Sequence, residues 1–337
     1  MRAAIVCDGR ITVGERPTPT PGPGNVLVKV RACGICGSDL HYYHHAKSML
    51  EQARALNVPT DHMERLVREG AVLGHEFVGE ISEFGPDTER QLNRGDRVCS
   101  MPFVIKDGAS HLIGSTPDIT GAFAEYVELS EQMLLAIPSH VSDESACLVE
   151  PTGIAVHAVN RAEVTEEDDI FVVGCGPIGL AIIAVLKARG YDRITASDLS
   201  GTRRNLAEEL GAAAARDPRS CQLFNDSKRS GQRGRVVVFE NTGAACMLHR
   251  LVMEVPQSAR IVVTGIAAGE EKFIPMVAIS KELTLAFVIY YSSAEFSEAL
   301  ELVSTGRVDL RPLITKNVGL AGVGQAFTDR SRPERQI

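Results

Sequence analysis

Val172-Val173-Gly174-Cys175-Gly176-Pro177-Ile178-Gly179 decides the fold of this 337-residue chain. The apolar run Ile170–Val173 enters a G-x-G-x-x-G turn, and Leu180, Ile183, Ala184 and the stretch Lys187 to Gly190 continue it as a helix that Gly190 stops. A strand before and a helix after are the context in which such glycines bind a dinucleotide. Gly174 permits the tight turn, Gly176 lets backbone approach a pyrophosphate, and Gly179 lets helix and strand pack closely, while Pro177 and Ile178 open the helix whose unpaired N–H groups attract phosphate. Asp198 closes the next strand, 22 residues beyond Gly176, where a carboxylate can accept the hydroxyl protons of an adenosine ribose and repel a 2′-phosphate. NAD is therefore favoured over NADP, with Arg203 and Arg204 close by. The same carboxylate can instead cap the helix that starts near Ser200. Gly265, just after the strand Ile261–Thr264, joins the candidate cofactor-binding residues.

Downstream of this turn the grammar repeats. Short apolar runs at Arg193–Ala196, Val236–Phe239, Ile261–Thr264 and Leu283–Val288, several separated by helical patterns, read as buried parallel strands. Ser292 and Glu295 form a capping-box pair ahead of the stripe Phe296, Ala299, Leu300, Val303, which ends near Gly306. Upstream the chain is different. Strand patterns such as Val26-Leu27-Val28-Lys29-Val30 alternate with Gly/Pro punctuation such as Pro17 to Gly24, and no strand–helix alternation occurs. Two domains are expected on length and on this change of pattern. Between them in character is Lys47–Ala71, whose apolar residues Met49, Leu50, Ala53 and Leu56, then Met63, Leu66 and Val67, predict a helical insertion of two short helices broken at Pro59.

Composition narrows the function. The chain is 44% hydrophobic and 23% charged, without an apolar run of the ~18 residues a membrane span needs. A formal charge of −8 with no basic block argues against nucleic acid, whose backbone demands clustered Lys and Arg. The opening Met1-Arg2-Ala3-Ala4-Ile5-Val6 reads as a strand rather than a secretory signal, so a cytoplasmic location is expected and the eight cysteines are read as free thiols or metal ligands.

Three segments of the first half carry metal-type side chains: Cys33-Gly34-Ile35-Cys36-Gly37-Ser38-Asp39-Leu40-His41, Gly74-His75-Glu76, and Leu148-Val149-Glu150-Pro151. Cys, His and Glu are zinc ligands, and three protein ligands with an open position make a catalytic rather than a structural site. Singly, each residue can equally be a core thiol, a hydrogen-bonded core histidine or a surface carboxylate.

Together, and followed by the glycine-rich turn, these segments resemble the medium-chain zinc-dependent alcohol dehydrogenases. Gly95-Asp96-Arg97-Val98, Gly121-Ala122-Phe123-Ala124-Glu125-Tyr126 and Lys281-Glu282-Leu283-Thr284 extend the resemblance over nearly the whole chain. It implies an α/β protein: a GroES-like β-barrel catalytic domain over residues 1–151, with the helical insertion at about 47–71, a Rossmann doubly wound parallel-sheet NAD-binding domain over 152–288, and a segment 289–337 returning to the first domain. It further implies that Cys36 and His75 hold zinc, that Glu76 coordinates it or sits just behind, and that Glu150 stands where the classical enzymes carry cysteine, as in the polyol and butanediol branch. By the same resemblance Ser38 and His41 form a proton relay and Thr152 touches the nicotinamide end of NAD.

Ser100 to Gly121 contains no cysteine, so one catalytic zinc per chain and no structural zinc are expected. The chain stops at Arg335-Gln336-Ile337, short of the closing strand usual in relatives. The expected reaction passes hydride from a small secondary alcohol, vicinal diol or polyol to NAD+, in a homodimer or homotetramer. The competing readings are a zinc-independent enone or quinone reductase and a non-catalytic dinucleotide-binding relative.

Overall fold

In a computed structural model that describes residues 1–220, 223–224, 234–267 and 269–330, the chain divides into two units. One comprises Met1–Glu150 with the segment that begins at Ile314, the other Pro151–Leu313.

The first unit opens with the hairpin β1 (Arg2–Cys7) and β2 (Arg10–Glu15), followed by the long strand β3 (Asn25–Gly34). Two helices, α1 (Gly37–Ala55) and α2 (Asp61–Glu69), precede β4 (Glu76–Phe84), β5 (Arg97–Ser100), the hairpin β6 (Phe103–Lys106) and β7 (Ala109–Leu112), then β8 (Tyr126–Ser130), β9 (Leu134–Ala136) and the short helix α3 (Asp143–Cys147). Strands β8-β3-β4-β5-β9 form one antiparallel sheet in that order. Val26 and Val28 of β3, Phe77 and Ile81 of β4, Val98 of β5 and Val127 and Leu129 of β8 share one buried cluster. Alternation of inward apolar and outward polar residues is what an antiparallel sheet with one wet face requires.

The expected insertion is present with a different first helix. Instead of a short piece beginning near Lys47, α1 runs unbroken from Gly37 to Ala55. Its start is fixed by the Asp39 carboxylate, which accepts from the Cys36 N–H at 3.0 Å, and nothing between Ser38 and Ala55 breaks a helix. The chain then turns at Asn57, whose φ is positive, ahead of Pro59. Helix α10 (Val323–Arg330) closes this unit: Phe327 is buried with its ring edge-on to Tyr43 at 5.4 Å and Phe123 at 5.7 Å. Arg335-Gln336-Ile337 lie outside the described residues.

The second unit starts on α4 (Val149–Ala162) and alternates strand with helix: β10 (Asp169–Val173), α5 (Pro177–Ala188), β11 (Ile194–Ser197), α6 (Gly201–Glu209), β12 (Ala214–Arg216), β13 (Val236–Glu240), α7 (Met247–Glu254), β14 (Arg260–Val263), α8 (Pro275–Ser280), β15 (Thr284–Phe287) and α9 (Ser293–Ser304). All six strands are parallel in the order β12-β11-β10-β13-β14-β15, the doubly wound arrangement, so the switch point falls between β10 and β13. Burial on both faces explains the unbroken apolar runs: all of Val236–Glu240 is buried. Strand β12 was not expected, because an alanine-rich edge strand leaves no apolar run to read.

Gly190 ends α5 with φ +90°, the Tyr191 N–H donating to the Leu186 carbonyl. This is the left-handed cap that glycine permits. In Lys281-Glu282-Leu283-Thr284, the lysine ammonium donates to the carbonyls of Val252, Met253 and Val255 at the end of α7. The segment expected to leave this domain at residue 289 leaves it at Ile314, since α9 is tied to its neighbours by Glu295 to His157 at 3.0 Å and Arg189 to Glu298 at 2.7 Å. Within α9, Phe296, Ala299, Leu302 and Val303 are buried, with Leu302 in the place expected for Leu300. Among the described residues no helix is long and apolar enough to cross a membrane.

Candidate functional site

The antiparallel pairing of β3 with β4 gathers the candidate metal ligands. Gly34 is opposite Glu76 and Cys33 opposite Phe77, so the residues that follow β3 and precede β4 emerge at the same end of the sheet. Cys36, the residue before α1, therefore meets His75 and Glu76, and ligand atoms of these three all lie within 4.8 Å of one another. Gly34 makes the space: a Cβ there would stand 2.3 Å from the Glu76 carboxylate. Cys36 also lies at the positive end of the α1 dipole, which favours a thiolate.

Asp39 holds this corner together. It is buried and accepts N–H groups from Cys36 at 3.0 Å and Gly74 at 3.2 Å, joining the start of α1 to the residue before His75. It also lies 3.6 Å from His75 Nδ1, an ion-pair distance too long for a hydrogen bond. Nε2 is on the other side of the ring, 3.4 Å from the Ser38 hydroxyl. A carboxylate behind one ring nitrogen is the usual support for a histidine that ligates a metal through the other. Sequence reading passed over Asp39; its position three residues after Cys36, where a capping-box carboxylate falls, was the available signal.

Glu150 is buried in the first turn of α4. Helix α3, just before it, is pinned to the sheet by Asp143, which receives Arg31 of β3 and Arg97 of β5, each at 2.6 Å. Glu150 is not among the three groups within 4.8 Å, yet its charge acts on both Glu76 and His75.

The electrostatics test whether a cation fits. Burial, followed by the charge of Glu150, pushes the Glu76 carboxyl up to about 7. Burial and the charge of Glu76 likewise raise the Cys36 thiol. For His75 burial acts downward, but the negative charges of Asp39, Cys36 and Glu150 outweigh it and hold the imidazole well above its usual range. Four acidic groups around one imidazole resist the deprotonated state in which Cys and Glu ligate. A divalent ion among them removes that penalty, and the thiolate, imidazole and carboxylate set suits zinc. Among the described residues no other group of three such side chains is gathered this closely.

His41 lies one turn beyond Ser38 on α1, half-buried, with its ring centroid 5.1 Å from that of His45. Burial, then the nearby His45 and His44, lower its pKa, which keeps it a neutral proton acceptor.

A separate group of candidate residues belongs to the other unit, at the end of β10. Gly174 has φ +89°, and a Cβ on Gly179 would sit 1.9 Å from the Gly174 carbonyl, so this crossing accepts glycine alone. Gly176 differs: a Cβ there would meet nothing within 4 Å. Gly176, Pro177 and Ile178 are the half-exposed residues in an otherwise buried stretch, at the start of α5. An open backbone cradle at a helix N-terminus fits a pyrophosphate. Asp198 accepts the Cys175 N–H and the Ser200 N–H, each at 2.8 Å, so it braces the glycine turn and also helps cap α6. Each of its oxygens keeps acceptor capacity for a sugar hydroxyl. Arg203 lies 3.6 Å from Asp198, and its buried Nε lacks a hydrogen-bond partner.

Glu240, at the end of β13, was not singled out from sequence. It is buried and accepts from the N–H groups of Thr242 at 2.7 Å and Gly243 at 3.2 Å, and from the Thr242 hydroxyl. Gly265 packs on the same loop, where a Cβ would lie 2.3 Å from the Gly243 nitrogen. A carboxylate closing an apolar strand, as Asp198 does, was the signal for it. Thr152, expected at the nicotinamide end, is fully buried in α4.

Two stretches of the chain match families of known proteins. Residues 22–139 match the alcohol dehydrogenase GroES-like domain, and residues 177–305 match the zinc-binding dehydrogenase family. The (R,R)-butanediol dehydrogenase of Bacillus subtilis is 32% identical over 93% of this chain and 92% of its own length. A probable D-xylulose reductase A from Arthroderma otae is 31% identical over 95% of this chain and 91% of its own. The crystal structure of 2R,3R-butanediol dehydrogenase from Bacillus subtilis superposes with a TM-score of 0.82 at 30% identity, covering 99% of this chain and 97% of that one. An Escherichia coli alcohol dehydrogenase crystallised with NADH gives 0.82 at 26% identity, covering 99% and 97%.

Proposed function

Because this chain belongs to the medium-chain zinc-dependent alcohol dehydrogenases, in their polyol and butanediol branch, we propose that it oxidises a small vicinal diol or polyol at a secondary hydroxyl, passing hydride to NAD+. The observation that carries this reading is the convergence of Cys36, His75 and Glu76, whose ligand atoms lie within 4.8 Å of one another. The relatives named for butanediol and xylulose carry the substrate class.

Cys36, His75 and Glu76 would hold the zinc, with Glu150 as a further ligand or charge partner. Zinc in such a site supplies Lewis acidity that lowers the pKa of an alcohol hydroxyl. The protein's own side chains do the rest. The Asp39 carboxylate, 3.6 Å behind His75 Nδ1, leaves Nε2 as the nitrogen offered to the ion. Ser38 and His41, three residues apart and so on one face of α1, carry the released proton outward, His41 taking it as a neutral imidazole. In the second unit the Gly176–Ile178 backbone and the α5 N-terminus take the pyrophosphate. Asp198 takes the ribose hydroxyls, favouring NAD over NADP. A homodimer formed along β15 fits the reading, since this strand ends the parallel sheet and Phe287 and Ile289 beside it are exposed.

Elemental analysis of purified protein with a Cys36→Ser variant tests the proposal, alongside NAD reduction over diols, polyols and secondary alcohols. The expected result is about one zinc per chain, lost in the variant together with alcohol-dependent NADH formation. Folded, zinc-supplemented protein that binds NADH but no zinc would transfer the assignment to a zinc-independent reductase or a non-catalytic dinucleotide-binding protein.

A further inference from the structure

The run His41-Tyr42-Tyr43-His44-His45 falls within α1 and is divided by the helix period. Tyr42 and Tyr43 pack inward on the cluster formed by β1, Leu73, Phe123 and Phe327. The histidines occupy the other side: His44 and His45 are exposed, and His41 is half-buried. His41 and His45, four residues apart, have ring centroids 5.1 Å apart with planes inclined at 51°. His44 adds a third ring 6.0 Å from His45.

We propose that His41 and His45 form a second metal-binding site, a surface chelate of two imidazoles for a divalent transition ion such as nickel, copper or zinc. Two histidines at i and i+4 on a helix can direct ring nitrogens at one ion, and paired imidazoles select these metals over magnesium or calcium. The helix that carries them is already fixed, by Asp39 at its first turn and by Tyr43 against Phe327 at its second. Little rearrangement is needed to bind. The pair differs in kind from the thiolate, imidazole and carboxylate group: it has no anionic ligand and its His45 is exposed, so it holds its ion more weakly and exchanges it. A consequence rests on the relay reading above: an ion on His41 occupies the nitrogen that would accept the proton, so metal in excess of the catalytic zinc inhibits the enzyme.

The test is calorimetric titration of the zinc-loaded, full-length protein with Ni2+, comparing wild type with His45→Gln, with zinc content checked before and after. Wild type is expected to bind Ni2+ without losing zinc. His45→Gln is expected to bind it at least about ten-fold more weakly, because losing one imidazole of the pair forfeits the gain from linked ligands, with turnover of the zinc-loaded protein before Ni2+ is added unchanged. Equal Ni2+ affinity in the two proteins, or no binding by wild type, overturns the site. Turnover followed in the same titration separates the two readings. Inhibition that tracks binding in wild type and is lost in His45→Gln supports both, whereas Ni2+ bound at the pair without inhibition upholds the site and overturns the relay role of His41.

Discussion

In the metal-binding half of this protein, side chains from segments almost forty residues apart converge because two strands pair in one register; in the nucleotide-binding half, one eight-residue stretch offers its own backbone. The first is a cluster of buried charge whose members act on one another's protonation. The second is a matter of space, set by which glycines touch their neighbours and which do not. A metal centre of the first kind fails when a donor or its support is altered. A nucleotide loop of the second kind fails when a single methyl is added.

The sharpest break of this comparison is reciprocal. Cys36→Ser should abolish zinc retention and lower turnover by on the order of 10³-fold or more, since the ion contributes several kcal/mol to the reaction. NADH affinity should be unchanged. Gly179→Ala should do the reverse: its methyl meets the Gly174 carbonyl at 1.9 Å, displacing α5 from β10 at a cost of about 1–3 kcal/mol, with NADH binding weakened and zinc content intact. Gly176→Ala separates packing from ligand approach within the loop. With nothing within 4 Å of its Cβ, it should leave the melting temperature within a degree or two of wild type, as a surface change does, and still weaken NADH. A Gly176→Ala protein that binds NADH normally would remove the pyrophosphate from that position.

Next in size is the support of the metal cluster. Asp39→Asn keeps the shape of the side chain, but withdraws the charge behind His75 Nδ1 and turns into a donor one of the two oxygens that accept the Cys36 and Gly74 N–H groups. Zinc affinity should fall by about 10- to 100-fold, as with other outer partners of metal-bound histidines. Competition with a chelator reads this directly. An unchanged chelator midpoint would reduce Asp39 to a helix cap.

The same contrast explains what the sequence disclosed. The nucleotide loop was legible because all its determinants are contiguous: strand, turn and helix follow one another, and Asp198 closes the next strand. Cys36, His75 and Glu76 could be proposed as ligands from side-chain chemistry and family resemblance, but their meeting depends on β3 pairing with β4, a non-local fact that no spacing within either segment encodes. Asp39 and Glu240 were passed over because an acidic residue looks the same in sequence whether exposed or, as here, buried and accepting two backbone N–H groups. Helix α1 was read as starting late because its amphipathic signal is weak, its first turns being held by a cap and by tyrosines rather than by an aliphatic stripe. The apolar stripe of α9 was placed correctly except at Leu302, since positions three and four apart both satisfy a 3.6-residue period.

The smallest effect concerns a residue of the second unit that belongs to neither the ligand cluster nor the glycine turn. Glu295 caps α9: it accepts the Ser292 N–H at 2.8 Å, and it also meets His157 and Asn160 of α4, the helix whose first turn carries Glu150. Burial pushes its pKa up, but the Ser292 N–H, Asn160 and His157 outweigh this and bring it to about 2, from an ordinary 4.5. A carboxyl whose folded pKa lies below its unfolded one contributes stability that is fully present above the unfolded value and lost as pH falls towards the folded value. The contribution of Glu295 is therefore complete at neutral pH and disappears between 4.5 and about 2. Glu295→Gln should lower stability at neutral pH by about 1 kcal/mol, the typical worth of a helix cap, leaving zinc content and NADH affinity as in wild type. The gap between the two proteins should narrow as pH falls through that window. Denaturant melts at neutral pH and near pH 3 measure it, and a gap that stays constant or widens would show that the Glu295 charge does not stabilise this helix.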